Sequence, residues 1–134
     1  MKASTIRRIY LREAAIMLAL AEVAARFAPP GRLFAWANRP PRTIRRFAVD
    51  EAQWVAWAVE TVAARRGATS MPRALAAQAM LRRRGIASRL CLGVAREDGA
   101  LAARAWVELG ETKIVGGAEA ARFTRLAELS QRAS

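Results

Sequence analysis

Residues 68–94, ATSMPRALAAQAMLRRRGIASRLCLGV, set the architecture of this chain. They spell a capped helix, a tight turn at Gly85 and a buried strand. Ser70 is a good N-cap, its hydroxyl able to accept from the free N–H groups of the first turn. Pro72 falls in that turn, where its missing N–H costs nothing. Leu75 and Ala79 then form one apolar stripe, with Ala74 and Leu81 beside it. Arg82, Arg83 and Arg84 suit the negative end of the helix dipole, and Gly85 supplies the stop. The side chain at position 70 therefore meets the positive field of a helix N-terminus, where a cysteine would become acidic and nucleophilic. A serine gains far less, because its hydroxyl keeps its proton unless a base removes it.

Beyond Gly85 the period changes to two. Leu90, Leu92 and Val94 alternate with Arg89, Cys91 and Gly93, which predicts a strand over 88–95. Asp98-Gly99 is a hairpin signal. A second strand follows over 100–109, with Ala105, Val107 and Leu109 on one face and Arg104, Trp106 and Glu108 on the other. Gly110-Glu111 turns the chain into a short third strand, 112–115. Gly116-Gly117 closes it, and residues 118–131 have the composition of a terminal helix. Before the central helix, residues 5–27 read as a helix ended by Pro29-Pro30-Gly31, with a short apolar piece over 33–37. Residues 38–46, NRPPRTIRR, form a proline-broken basic loop. Asp50 is placed to cap a further helix over 51–66, whose Trp54, Trp57, Val55, Val59 and Val62 mark a wide apolar face. Helices first and an antiparallel meander after them make an α+β plan.

At 134 residues the chain is sized for one domain, 1–134, with 1–48 as helical lead-in and basic loop and 50–134 as core. A hydrophobic content of 54% is ample for a folded core. The net charge of +12 favours acidic partners, and it is almost wholly arginine, since Lys2 and Lys113 are the only lysines. The one cysteine, Cys91, excludes an internal disulfide and suits a reducing, cytoplasmic setting. Histidine is absent, which removes the commonest base and metal ligand; no metal site and no cofactor are expected. The apolar run 14–21 is bracketed by Arg12, Glu13 and Glu22 and is too short to span a bilayer. Arg7, Arg8 and Arg12 around Ile6, Ile9 and Tyr10 allow an interfacial membrane role, but an amphipathic helix packed on the domain is the preferred reading.

Four ordered pieces carry a family resemblance: Ser70-Met71-Pro72-Arg73-Ala74-Leu75-Ala76, Leu81–Ile86, Leu90-Cys91-Leu92-Gly93-Val94, and Ala103-Arg104-Ala105-Trp106-Val107-Glu108. Together they resemble the lasso-peptide leader peptidases, small transglutaminase-like (papain-like) cysteine proteases that remove the leader from a ribosomal precursor peptide. Val115-Gly116-Gly117 and Phe123–Leu129 resemble the tail of that family. The resemblance implies a central helix packed on a three-stranded antiparallel meander and followed by a C-terminal helix. As partners it implies the precursor's leader peptide and a small leader-recognition protein, and these can extend to the macrocyclase.

By the same resemblance the family cysteine falls at Ser70 and the family histidine at Arg104, with Trp106 walling the substrate groove. The orienting acid would fall near Gly116 or Gly117, with Glu119 close by. A guanidinium does not yield its proton in proteins, so Arg104 cannot replace an imidazole base. The implied protein is a leader-peptidase relative with a degenerate site, retaining peptide and partner binding. Plainer roles stand beside these: Ser70 as a simple cap, Arg104 as a solvated strand arginine, Trp106 as core, Cys91 as an inert packing thiol. The alternative function is a basic nucleic-acid-binding domain, resting on the charge, residues 39–46 and Arg82–Arg84; it lacks a recognised motif.

Overall fold

Helical spacing of small and aliphatic residues builds four helices, and period-two alternation after Gly85 builds the sheet. The computed structural model describes residues 3–39, 49–110, 112–115 and 124–125. Helices α1 (Ala3–Phe27), α2 (Pro30–Ala37), α3 (Val49–Arg66) and α4 (Ser70–Arg83) precede strands β1 (Arg89–Glu97), β2 (Ala100–Leu109), β3 (Thr112–Val115) and β4 (Thr124–Arg125). The result is an α+β architecture, helices first and an antiparallel sheet after them. Among the described residues no helix is long and apolar enough to cross a membrane.

The central helix α4 packs against the other three helices and against β1, β2 and β3. Pro72, Ala74, Leu75, Ala76, Ala77, Gln78, Met80 and Leu81 are all buried, so nearly its whole circumference is enclosed. Each large apolar side chain withdrawn from water there contributes about 1.5–3 kcal/mol. Its end follows the expected stop. Gly85 takes φ 70°. The N–H of Gly85 bonds the Arg82 carbonyl and that of Ile86 the Leu81 carbonyl, both at 3.0 Å, which is a Schellman closure. The helical lead-in joins the same core, since Ala14, Leu18, Ala21, Leu33 and Ala37 belong to one buried cluster with Val55, Val59, Leu75 and Met80.

The strands β1 and β2 pair from Arg89↔Glu108 to Glu97↔Ala100 around the Asp98-Gly99 turn. Positive φ at both turn residues (51° and 80°) matches the twist of the flanking strands. Strand β3 pairs with β2 and skips a residue near Val107/Glu108. The sheet order is β3-β2-β1-β4.

Several expectations need correcting. The meander of three strands is present, but β4 adds a fourth by pairing with Gly93 and Val94 of β1. Thr124 and Arg125 therefore lie in a strand and not in a terminal helix; the rest of 118–131 lies outside the described residues. The apolar piece over 33–37 is helical because Pro30 opens α2 at a position where proline's fixed φ is an advantage. Asp50 sits inside the first turn of α3 and not at its cap. Residues 40–46 of the basic loop are outside the described residues.

Two amides, Gln78 buried and Asn38 half-buried, tie distant segments together. Gln78 donates to the carbonyls of Ala37 (2.6 Å) and Ser88 (3.0 Å), and its Oε1 accepts from the Ser88 hydroxyl at 2.6 Å. Asn38 donates to the Leu90 carbonyl at 3.1 Å and accepts from the Leu90 N–H at 2.9 Å. At the far end of α4, Arg84 grips both oxygens of Glu13 (2.6 and 2.8 Å) and lies over the Tyr10 ring at 4.6 Å. These hydrogen bonds, helped by the nearby charges of Arg84 and Arg83, hold the Glu13 carboxyl below its ordinary range, and Glu13 in turn raises Arg84.

Candidate functional site

The N-terminus of α4 meets β2 where β3 gives out. The β2–β3 ladder ends at Val107↔Val115. Two residues further along β2, the N–H of Ala105 donates to the Ser70 hydroxyl at 3.0 Å. Ser70 is thus the first residue of α4, while Thr69, with extended backbone and no side-chain cap bond, takes the cap position. Ser70 as N-cap is corrected accordingly: its oxygen serves the strand and not its own helix. The helix nevertheless directs its unpaired first-turn N–H groups and positive end toward this spot.

Arg104 immediately precedes Ala105 on β2 and is half-buried. Its cross-strand partner on β1 is Gly93, so no side chain stands beside position 104 on that strand. The structure therefore brings Ser70 to the backbone adjoining Arg104, across 35 positions of sequence. The places of Gly116, Gly117 and Glu119, where an orienting acid is expected, lie outside the described residues. Arg73, one turn into α4, donates to the Ala68 carbonyl at 3.1 Å and pairs with Glu60 at 3.3 Å, which braces the helix start.

Trp106 and Cys91 form a second, smaller buried cluster, cross-strand partners with Ala102 packed against them. Trp106 is 1% exposed, so the indole itself offers almost no surface to a peptide. Its N–H donates to Glu108 Oε2 at 2.7 Å, and the Cys91 thiol donates to the same oxygen at 3.3 Å. Glu108 is 3% exposed and lies 3.6 Å from the largely solvated Arg89. Cys91 is accordingly buried and packed. The sequence carried the signal for this grouping, since alternation puts Trp106 and Glu108 on one face; the role of Glu108 as shared acceptor was not read from it.

Chemically the arrangement offers a hydroxyl at the positive end of a helix, tied to the backbone beside Arg104, with no histidine anywhere in the chain. It can receive a negatively charged or strongly polar group, but it has no imidazole with which to take a proton from Ser70. Of the arginines that suggest nucleic-acid binding, Arg82, Arg83 and Arg84 are engaged in the fold, while residues 40–46 lie outside the described residues. Arg82 bonds the Trp36 carbonyl and lies over its ring, and Arg83 and Arg84 hold Glu13.

A family model described as the transglutaminase-like superfamily matches residues 14–128. No curated protein and no solved structure matches the chain.

Proposed function

The chain belongs to the transglutaminase-like superfamily, and from that premise we propose that it serves lasso-peptide maturation as a leader-peptidase relative with a replaced catalytic pair. Ser70 stands at the nucleophile position and Arg104 at the base position. The observation that carries this reading is the 3.0 Å bond between Ser70 Oγ and the Ala105 N–H, which joins the start of α4 to the residue beside Arg104. Without a base the serine hydroxyl stays protonated, and losing members of a catalytic triad costs factors of about 10⁴ to 10⁶ in turnover. The remaining work is recognition. A helix N-terminus and a strongly basic chain favour acidic stretches of a leader peptide, presented in the cytoplasm by a small recognition protein. Nothing in the fold or the comparisons supports a nucleic-acid-binding domain.

The test is cleavage of a lasso precursor peptide, with its recognition protein present, by the parent chain, Ser70→Cys, Arg104→His and the double variant. The parent should bind the leader with negligible cleavage, and cleavage should rise sharply in the double variant alone. A parent that cleaves as fast as the double variant removes the site assignment. A parent indifferent to leader sequence removes the lasso assignment.

A further inference from the structure

Helix α1 is apolar on two opposite sides. Ala14, Leu18 and Ala21 face the core and are buried. Ile9, Ile16, Leu20, Val23 and Phe27 are 48%, 53%, 59%, 57% and 79% exposed. Spacings of seven, four, three and four residues put these five on one outer stripe running almost the length of the helix. Single exposed aliphatic residues are ordinary, but a continuous stripe of large ones marks a surface that meets a partner.

The stripe has a basic border and a concave end. Arg8, Arg12 and Arg26 follow one flank of α1 by the same periodicity. At the N-terminal end Ile9, Ile16 and Met17 floor a groove of about 480 Å³, with Arg8, Arg12 and Arg83 around it. The acid in its lining, Glu13, is already bound by Arg83 and Arg84. Glu22, further along α1, is bound by Arg66 at 2.8 Å. The acidic side chains of α1 are thus paired inside the fold, while the net charge of the chain is +12.

We infer that the outer stripe of α1 is the docking surface for an acidic amphipathic helix of a partner protein. Its apolar residues pack along Ile16, Leu20, Val23 and Phe27, and its carboxylates meet Arg8 and Arg12. Helix-on-helix docking suits a long, narrow stripe, which supplies anchors at helical spacing. A second copy of this chain fits less well, because it would bring one +12 surface against another. An anionic bilayer matches the charge but offers a broad flat face, whereas this stripe is narrow and ends in a groove lined from both α1 and α4. The inference rests on α1 and does not depend on the activity proposed for Ser70 and Arg104.

The probe is a synthetic helical peptide with a leucine stripe and glutamate elsewhere, titrated against the intact chain. Controls are the same composition scrambled, the lysine-for-glutamate counterpart, and phosphatidylcholine vesicles containing phosphatidylserine. The acidic amphipathic peptide alone should bind, more weakly as salt rises. Leu20→Glu and Arg12→Glu should each weaken it by about tenfold or more, as expected for a central contact and a complementary charge. Leu101→Glu, on a residue 74% exposed in the hairpin, should leave binding unchanged. Circular dichroism confirms that each variant is folded. Equal binding of the scrambled peptide, indifference to Leu20→Glu, or vesicle binding without peptide binding would each overturn the inference. So would self-association abolished by Leu20→Glu.

Discussion

The hydroxyl of Ser70 accepts the N–H of Ala105 at 3.0 Å, so the first residue of the central helix serves as a hydrogen-bond partner for the second strand. Replacing Ser70 with alanine leaves that strand donor without its acceptor. We expect Ser70→Ala to lower stability by about 1–2 kcal/mol, read as a lower midpoint in urea at unchanged slope. Ser70→Cys should cost less, because sulfur is a weak acceptor but an acceptor still. An unchanged midpoint in Ser70→Ala would mean the bond adds nothing.

Cys91 should react slowly with thiol reagents in the native protein, at a rate set by opening of the sheet. Glu108→Ala withdraws the acceptor shared by the Cys91 thiol and the Trp106 indole. It should speed labelling markedly and destabilise by about 1–3 kcal/mol, the cost of a buried donor without a partner. Fast labelling of the parent would show that the cluster is open.

Acid should expose the contribution of Glu13. Its carboxyl is held below the ordinary value of 4.5 by Arg84. A depressed folded pKa gives stability that is complete above the unfolded value and fades as pH falls through the folded one. At neutral pH, Glu13→Gln should be less stable than the parent by about 1–2 kcal/mol. The gap should close progressively below pH 4.5. Urea titrations at several pH values decide it, and a gap independent of pH would exclude the ion pair as its source.

Two glycines should respond in opposite directions to alanine although neither has an atom within 4 Å of an added Cβ. Gly99 takes φ 80° in the hairpin turn, where a side chain is strained, so Gly99→Ala should cost about 1–2 kcal/mol. Gly31 lies in α2 with no positive φ, so Gly31→Ala should gain about 0.4–1 kcal/mol. Thermal melts of the pair compare the two effects directly.

What could be read from the chain was whatever is encoded locally. The body of α4 and its Gly85 stop follow from apolar spacing and one glycine, and the hairpin follows from Asp98-Gly99. Thr69 and Ser70 can both cap a helix, and serine is the better of the two in isolation; the choice between them turns on the Ala105 N–H, which no neighbouring residue announces. Pro29-Pro30-Gly31 looks like a break and hides the fact that proline at Pro30 opens a helix. Asn38 and Gln78 were invisible because their amides serve backbone 52 and 41 positions away. The face shared by Arg104, Trp106 and Glu108 was legible by alternation, whereas the bonds to Glu108 depend on depth of burial.

The pairing of Asn38 with Leu90 also bears on how this protein keeps apart from its own kind. A strand with free N–H and C=O groups is a template on which another chain can add, the first step of β-aggregation. The Asn38 amide satisfies both backbone groups of Leu90, and β4 occupies Gly93 and Val94 a few residues on. One asparagine at the end of a short helix thereby denies intruding strands a foothold on β1. Its loss should be felt less in the melting temperature than in the turbidity of a heated solution.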